Sequence, residues 1–359
     1  MTTSPPEAGA GRAAIIGTGL IGGSLGLALR ARGWYVTGRD RNTERSSRAL
    51  ELGALDAVGD DLAADVTFVA TPVHAIVDEA RKALAAGSIV TDVGSVKESV
   101  TSGISHAHFV GGHPMAGSEQ EGVDGSDGEL FEGATWVLTP TVDTDPVAYT
   151  RVRSIVTSLG ADVVALPPHR HDALVAIVSH VPHLTAATLM RLAADRSEEH
   201  SSLLRLAAGG FRDMTRIAAG HPGIWPDICA QNRVAILEAL DVLLERLSSV
   251  REVVAAGDRK KLLELLEDAR AARVNLPTRA ARAAELAELR VPVPDRPGVL
   301  ADVTTLASDL GVSIQDLEIA HSAEGDAGVL VLLLEAADAD RVRDALSDRG
   351  YRVAVRRLE

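Results

Sequence analysis

Several side chains in this sequence stand where they could act on a small molecule. His113 lies in Gly111-Gly112-His113-Pro114, directly after the apolar pair Phe109-Val110. An imidazole titrates near neutrality, so it can take or share a proton at working pH. Thr71 follows the apolar run Val66–Ala70, and Ser95 follows Ser88–Asp92, so each offers a hydroxyl just past a short apolar segment. Farther along, Val178-Ser179-His180-Val181-Pro182-His183 places polar groups in apolar helical surroundings. So does Gly209-Gly210-Phe211-Arg212-Asp213-Met214-Thr215-Arg216, with Trp225 nearby. Arg216 offers a planar guanidinium suited to a carboxylate; a solvated helix arginine is the plain alternative. His180 and His183 at i, i+3 suggest a metal only superficially. No cysteine or carboxylate stands at useful spacing, so no metal site is expected.

The surrounding elements decide whether these groups can meet. Arg12–Ile16 reads as a strand and runs straight into Gly17-Thr18-Gly19-Leu20-Ile21-Gly22. A helix over Ser24–Ala31 follows, then a strand over Trp34–Gly38 that ends at Arg39-Asp40. In this strand–turn–helix–strand setting, with an acid 18 residues past Gly22 (40 − 22), the glycine pattern predicts a dinucleotide site. Gly17, Gly19 and Gly22 let the backbone at Leu20 and Ile21 approach a pyrophosphate at a helix start. Asp40 would accept from ribose hydroxyls and repel an added phosphate, which favours NAD. Arg39 and Arg41 flank it, and either could pair with that phosphate, so NADP stays open.

Strands over Val66–Ala70, Ser88–Asp92, Phe109–Gly112, Ala134–Leu138 and Asp162–Leu166 alternate with helices over Val73–Ala85 and Pro146–Leu159. Repeated strand–helix units predict an α/β fold, a Rossmann-type doubly wound parallel sheet. Thr71, Ser95 and His113 then stand together at its carboxyl edge, where such sheets bind ligands.

Beyond Pro167-Pro168 only helical periodicity remains, to about Leu289. Val234, Leu237, Leu240, Leu244 and Leu247 step by threes and fours, a narrow seam expected to pack on another helix. A homodimer formed through the helices is expected. From about Glu288 the pattern becomes βαββαβ, a small separate domain. The expected organisation is a disordered leader over 1–11, a nucleotide-binding domain over 12–168, an all-helical substrate and dimerisation domain over 169–287, and the small domain over 288–359.

Composition limits the partners. Lys plus Arg is 36 against 50 for Asp plus Glu, a formal charge of −14, which disfavours nucleic acid and anionic membranes. A small anionic substrate remains possible where arginines concentrate. The lone Cys229 excludes an internal disulfide and fits a reducing, cytoplasmic setting. No run of about 18 apolar residues stands out, so no membrane span is expected.

Taken together, GTGLIGGSLGLALR, DVGSVK, GGHPMAGSE with LFEG, VSHVPH and GGFRDMTRIA resemble the bacterial prephenate/arogenate dehydrogenase family of tyrosine biosynthesis, over roughly residues 12 to 280. DRPGVLADVTTLASDLGVSIQDLEI resembles an ACT domain, a module that commonly binds amino acids. The resemblance implies NAD-dependent oxidative decarboxylation of prephenate to 4-hydroxyphenylpyruvate, with arogenate, which carries an ammonium in place of the ketone, as the nearest rival substrate. It implies that His113 accepts the ring hydroxyl proton as hydride leaves the same carbon. Ser95 would orient that histidine or the hydroxyl, and Arg216 would pair with a substrate carboxylate. Ser118, Glu119, Ser179, His183, Gly209, Asp213 and Trp225 match positions lining the pocket. The family usually has threonine at Ser118, and a lysine where Gln120 stands. In the ACT-like part, Asp295, Gly298 and Ser313 match an effector site, with an aromatic amino acid as the expected ligand. Ser313 stands where asparagine is common. A non-catalytic sensor of NAD and amino acids is the distant alternative.

Overall fold

The computed structural model describes residues 11–117, 120, 122–197, 203–274, 286–294, 298–321 and 327–357. The chain divides into two compact units, Met1–Arg270 and Ala271–Glu359. Ser118, Glu119 and Asp295 lie outside the described residues.

The first unit is built on one sheet. Its strands are β1 (Arg12–Ile16), β2 (Tyr35–Arg39), β3 (Ala57–Val58), β4 (Val66–Val69), β5 (Ile89–Asp92), β6 (Phe109–Pro114), β7 (Thr135–Thr139) and β8 (Asp162–Ala165), in the order β3-β2-β1-β4-β5-β6-β7-β8. Successive residues of a strand point to opposite faces, and here both faces are apolar. Ile15, Phe68 and Val110 belong to one buried cluster with Leu25, Leu29, Val152 and Val156 of the flanking helices. Their neighbours Ile16, Val69 and Phe109 belong to another, with Ile76, Ala80 and Val100. Helices therefore cover both faces, as a doubly wound sheet requires.

One feature departs from the expected all-parallel sheet. β7 pairs with β6 antiparallel, and β8 runs parallel to β7. The last two strands thus oppose the rest. Strand direction leaves no mark on hydrophobic periodicity, because inside/outside alternation is the same either way.

That junction shapes the site. β6 pairs with β5 only through Phe109 and Val110, then leaves it to pair with β7 from Gly111 to Pro114. The two glycines permit the swerve. A Cβ on Gly111 would stand 2.4 Å from Thr139 Oγ1, and one on Gly112 would stand 2.7 Å from the Asp92 carbonyl oxygen. His113 is consequently the fifth residue of a strand, not the first of a loop.

After β8 the unit is helical. Pro168–Val175, a π-helical turn at Ala176–His180, and Val181–Ser197 form a continuous run. By length and composition alone this run, over Pro168–Arg196, is long and apolar enough to cross a membrane. His171, Asp172 and His180 within it are buried, however, and bonded to polar groups elsewhere in the unit. The long helix Arg233–Ala256 follows, closed by Gly257 at φ 64°. Val234, Leu237, Leu244 and Leu247 of the apolar seam are exposed on it.

The second unit is an antiparallel sheet, β9 (Leu286–Pro294), β10 (Ile314–His321), β11 (Ala327–Glu335) and β12 (Ala354–Arg357), in the order β10-β11-β9-β12. Helices Val299–Asp309 and Ala339–Asp348 bury Val303, Leu306, Val342 and Leu346 against Leu289, Val291, Leu330 and Leu332. The βαββαβ order matches the expectation. Gly298 takes φ 95° at the start of the first helix, and Ser313 is exposed just before β10.

Candidate active site

A cleft of about 940 Å³ opens in the first unit. It lies at the carboxyl edge of β1, β4, β5 and β6, where neighbouring connections leave the sheet in different directions. Gly19, Leu20, Ile21, Thr71, Ser95 and His113 line it from the sheet side, and His183, Arg216 and Trp225 from the helical side. Gly17, Gly22, Asp40, Ser179, Gly209 and Asp213 are not among its lining residues. Gly209 and Asp213 are exposed, on the short helix Gly209–Thr215 that leads into Arg216.

The glycine turn is shaped for close backbone approach. Gly17 takes φ 96°, a conformation that L side chains rarely adopt. A Cβ on Gly22 would stand 1.9 Å from the Gly17 carbonyl oxygen, whereas one on Gly19 would meet nothing within 4 Å. The turn is tight beneath and open at Gly19. Asp40 closes it, accepting from Thr18 N–H (2.9 Å) and Asn42 N–H (2.9 Å). Arg39 is tied to Asp60 and Glu79. Thr71 Oγ1 is buried with no hydrogen-bond partner among the described residues. A backbone cradle, an acid beside it and an unpartnered hydroxyl at its mouth fit a dinucleotide.

His113 is partly buried, with Nδ1 2.8 Å from His171 Nε2. Burial, above all, pushes its pKa well below the usual value, and His171, Lys97 and His180 push the same way. The ring is therefore neutral at neutral pH and able to accept a proton. On the helical side, His183 stacks on Trp225 with centroids 3.7 Å apart and planes 14° from parallel. Burial lowers the His183 pKa too. Arg216 brings the cation to a cleft whose other lining side chains are largely apolar or neutral.

The chain matches the family model for the prephenate dehydrogenase nucleotide-binding domain over residues 25–165, that for the prephenate dehydrogenase dimerization domain over 167–268, and the ACT domain over 287–350. It is 34% identical to the prephenate dehydrogenase of Bacillus subtilis over 346 residues, 92% of this chain and 93% of that one. The chain belongs to the prephenate dehydrogenase family. Among solved structures, it is similar to the Aquifex aeolicus prephenate dehydrogenase in complex with hydroxyphenyl propionate and NAD+, with a TM-score of 0.70 and 30% identity, covering 76% of this chain and all of that one. It is also similar to Synechocystis arogenate dehydrogenase, with a TM-score of 0.63 and 33% identity, covering 73% of this chain and 98% of that one.

In this family member, a buried polar network behind His113 went unnoticed in the sequence. Lys97 and Asp92 form an ion pair with both side chains fully buried. Lys97 Nζ also donates to the Gly112 carbonyl (2.7 Å). Asp92 accepts from the amides of Gly94 (2.9 Å) and Gly112 (3.1 Å). The pair thus holds the residue before His113 in the gap where β6 leaves β5. Burial lowers the Lys97 pKa, and Asp92 and Asp172 oppose that shift. Asn232 donates to the Asp172 carbonyl (2.9 Å) and lies 3.2 Å from His180 Nδ1. The His180 pKa is lowered to about 4, chiefly by burial. Ser95, expected to orient His113 or the substrate hydroxyl, lines the cleft; among the described residues, His113 Nδ1 is hydrogen-bonded to His171.

Proposed function

We propose that this chain oxidises prephenate with NAD, giving 4-hydroxyphenylpyruvate and carbon dioxide. The supporting observation is a single cleft that takes His113 and the glycine turn from the sheet and Arg216 from the helical part. Gly19, Leu20 and Ile21 would hold the pyrophosphate, with Gly17 and Gly22 shaping the turn. Asp40 would take the ribose, and Thr71 and Ser95 would stand at the nicotinamide end. When bound, the nicotinamide supplies the hydride acceptor.

The remaining work falls to this chain. His113 Nε2 takes the proton of the ring hydroxyl as the hydride leaves the same carbon, which becomes a carbonyl carbon. The bond to the ring carboxylate then breaks, and its electron pair passes into the ring as carbon dioxide leaves. The ring becomes aromatic, and its oxygen takes the proton back from His113. Aromatisation drives decarboxylation, so no separate acid is needed for that step. Arg216 fixes a substrate carboxylate, and the His183–Trp225 stack bounds the ring. Arg39 being tied to Asp60 and Glu79 takes one of the two arginines flanking Asp40 away from a 2′-phosphate, which supports NAD over NADP.

Arogenate is the second reading, supported by the similarity to Synechocystis arogenate dehydrogenase. Following reduced nicotinamide by its near-ultraviolet absorbance, with prephenate and arogenate each crossed with NAD and NADP, tests both. The expected result is a rise with prephenate and NAD. No rise with either substrate would refute the enzymatic reading. His113→Asn should lower turnover by about 10²–10⁴-fold, the span of a positioned base; unchanged turnover would remove His113 from the reaction.

The exposed seam of Arg233–Ala256 and an apolar groove of about 640 Å³ lined by Ile177, Val181, Leu189, Ile217, Val242 and Leu243 support a homodimer. Sedimentation at micromolar concentration would test it. The ACT domain supports feedback by an aromatic amino acid, and the enzyme class fits the cytoplasm.

A further inference from the structure

The sequence offers no reason to connect His171 with the cleft, yet it is fully buried against His113. The hydrogen bonds around it allow the ring protons to be assigned. Asp172 Oδ1 accepts from Lys97 N–H (2.8 Å), and Oδ2 accepts from Glu98 N–H (2.9 Å). Amide N–H groups only donate, so both carboxylate oxygens are acceptors. The third group on Asp172, His171 Nδ1 at 2.7 Å from Oδ1, is then the donor. A neutral imidazole carries one N–H. With Nδ1 protonated, His171 Nε2 presents its lone pair to His113 Nδ1, which must donate. His113 Nε2 is left bare.

We propose that His171, itself fixed by Asp172, is a positioning residue that sets the tautomer of His113, so that Nε2 is the basic atom offered to the cleft. The two rings meet edge to face, with centroids 5.0 Å apart and planes at 73°, which favours a bond along the ring edge over stacking. The chain His113–His171–Asp172 places a second imidazole where a carboxylate orients the histidine of a catalytic triad. The backbone on each side is held separately. Lys97 and Asp92 pin Gly112 before His113, and Asn232 pins the Asp172 carbonyl. Once His113 takes a proton at Nε2, its Nδ1–H still donates to His171, and the Asp172 carboxylate lies one ring away from the new charge. Lys97 and His180 act on His113 electrostatically, Asp92 is paired with Lys97, and Asp172 is bonded to His171.

This inference rests on the proposed role of His113 as base, and the experiment separates the two. Heteronuclear NMR of the histidine ring nitrogens, in the full-length wild-type protein without substrate, reads the tautomer directly; His113→Asn identifies the signal. The expected result is His113 protonated at Nδ1 and bare at Nε2. The Nε2–H tautomer in the wild type would overturn the proposal, whether or not the protein turns over prephenate. In His171→Ala the expected results are a mixed tautomer and a kcat lower by roughly 10²-fold with KM nearly unchanged. Added imidazole, filling the vacated space, should restore part of kcat. Full kcat with an unchanged tautomer in this variant would equally overturn the proposal while leaving His113 as the base. Absence of any turnover in the wild type would fail the dehydrogenase reading but not the tautomer assignment.

Discussion

Replacing Lys97 with Met tests whether the buried ion pair holds the catalytic strand in place. Met keeps most of the side-chain volume, so the effect is electrostatic and not that of a cavity. The change removes the cation from Asp92 and the donor from the Gly112 carbonyl. Asp92 keeps two amide donors, from Gly94 and Gly112, so its carboxylate is not stripped of partners. Removing one member of a buried pair costs about 3–5 kcal/mol, and an unsatisfied buried carbonyl costs about 1–3 kcal/mol. The amides left on Asp92 offset part of the sum, so a loss of about 3–5 kcal/mol is expected. Urea unfolding at neutral pH measures it. Lys97→Met combined with Asp92→Asn should lose less than the two single losses added, by about 0.5–3 kcal/mol. Turnover of Lys97→Met under folding conditions should also fall, because Gly112 carries His113. A stability loss below about 1 kcal/mol, or strict additivity in the double variant, would refute the reasoning.

Gly22→Ala sets a Cβ 1.9 Å from the Gly17 carbonyl oxygen and 3.2 Å from Ile15 Cγ2. Backbone must shift, so the affinity for NAD by calorimetry should fall ~10-fold or more, and unchanged affinity would contradict the close packing of the turn. Arg216 is exposed in the free protein, so Arg216→Ala should weaken productive substrate binding by about 1.5–3 kcal/mol, the range of a hydrogen bond to a charged group, read as kcat/KM; a change of a few tenths would make Arg216 a solvated bystander. His180 has its folded-state pKa lowered to about 4, chiefly by burial. Its neutral form is favoured by folding, so this contribution is complete above pH ~6.5, the unfolded value. It is lost as pH falls from there to about 4. Urea midpoints between pH 7 and 4 should show that loss, and His180→Asn should flatten it; an equally steep wild-type and variant profile would assign the pH dependence elsewhere.

The fold and the cleft were legible where a local pattern carries them. Gly17 to Gly22 announce a dinucleotide turn because strand, turn, helix and acid follow within a few tens of residues. Thr71, Ser95 and His113 could be placed on one edge because each follows an apolar run. Arg216 is harder, since a helix arginine is ordinarily solvated, and its setting after Gly209-Gly210 beside apolar residues is a weaker cue than a glycine turn. The network behind His113 was not legible. His171 and His113 are 58 residues apart, and Asp172 reaches Lys97 across 75. A His-Asp pair near the start of a helix opened by Pro167-Pro168 looks like ordinary surface. Lys97 is visible within DVGSVK, but nothing local indicates that β6 swerves and leaves a buried gap beside Asp92. The antiparallel β7 escaped for a related reason: it depends on which edge the chain returns to, and apolar alternation carries no direction.

The most direct test is a crystal structure of this protein with NAD and a hydroxyphenyl carboxylic acid bound. The predicted result has the ring hydroxyl about 2.6–3.2 Å from His113 Nε2, the carboxylate on Arg216 and the dinucleotide pyrophosphate at Gly19–Ile21. A ligand whose hydroxyl lies away from His113, or whose carboxylate lies away from Arg216, would contradict a cleft shared by the sheet and the helices.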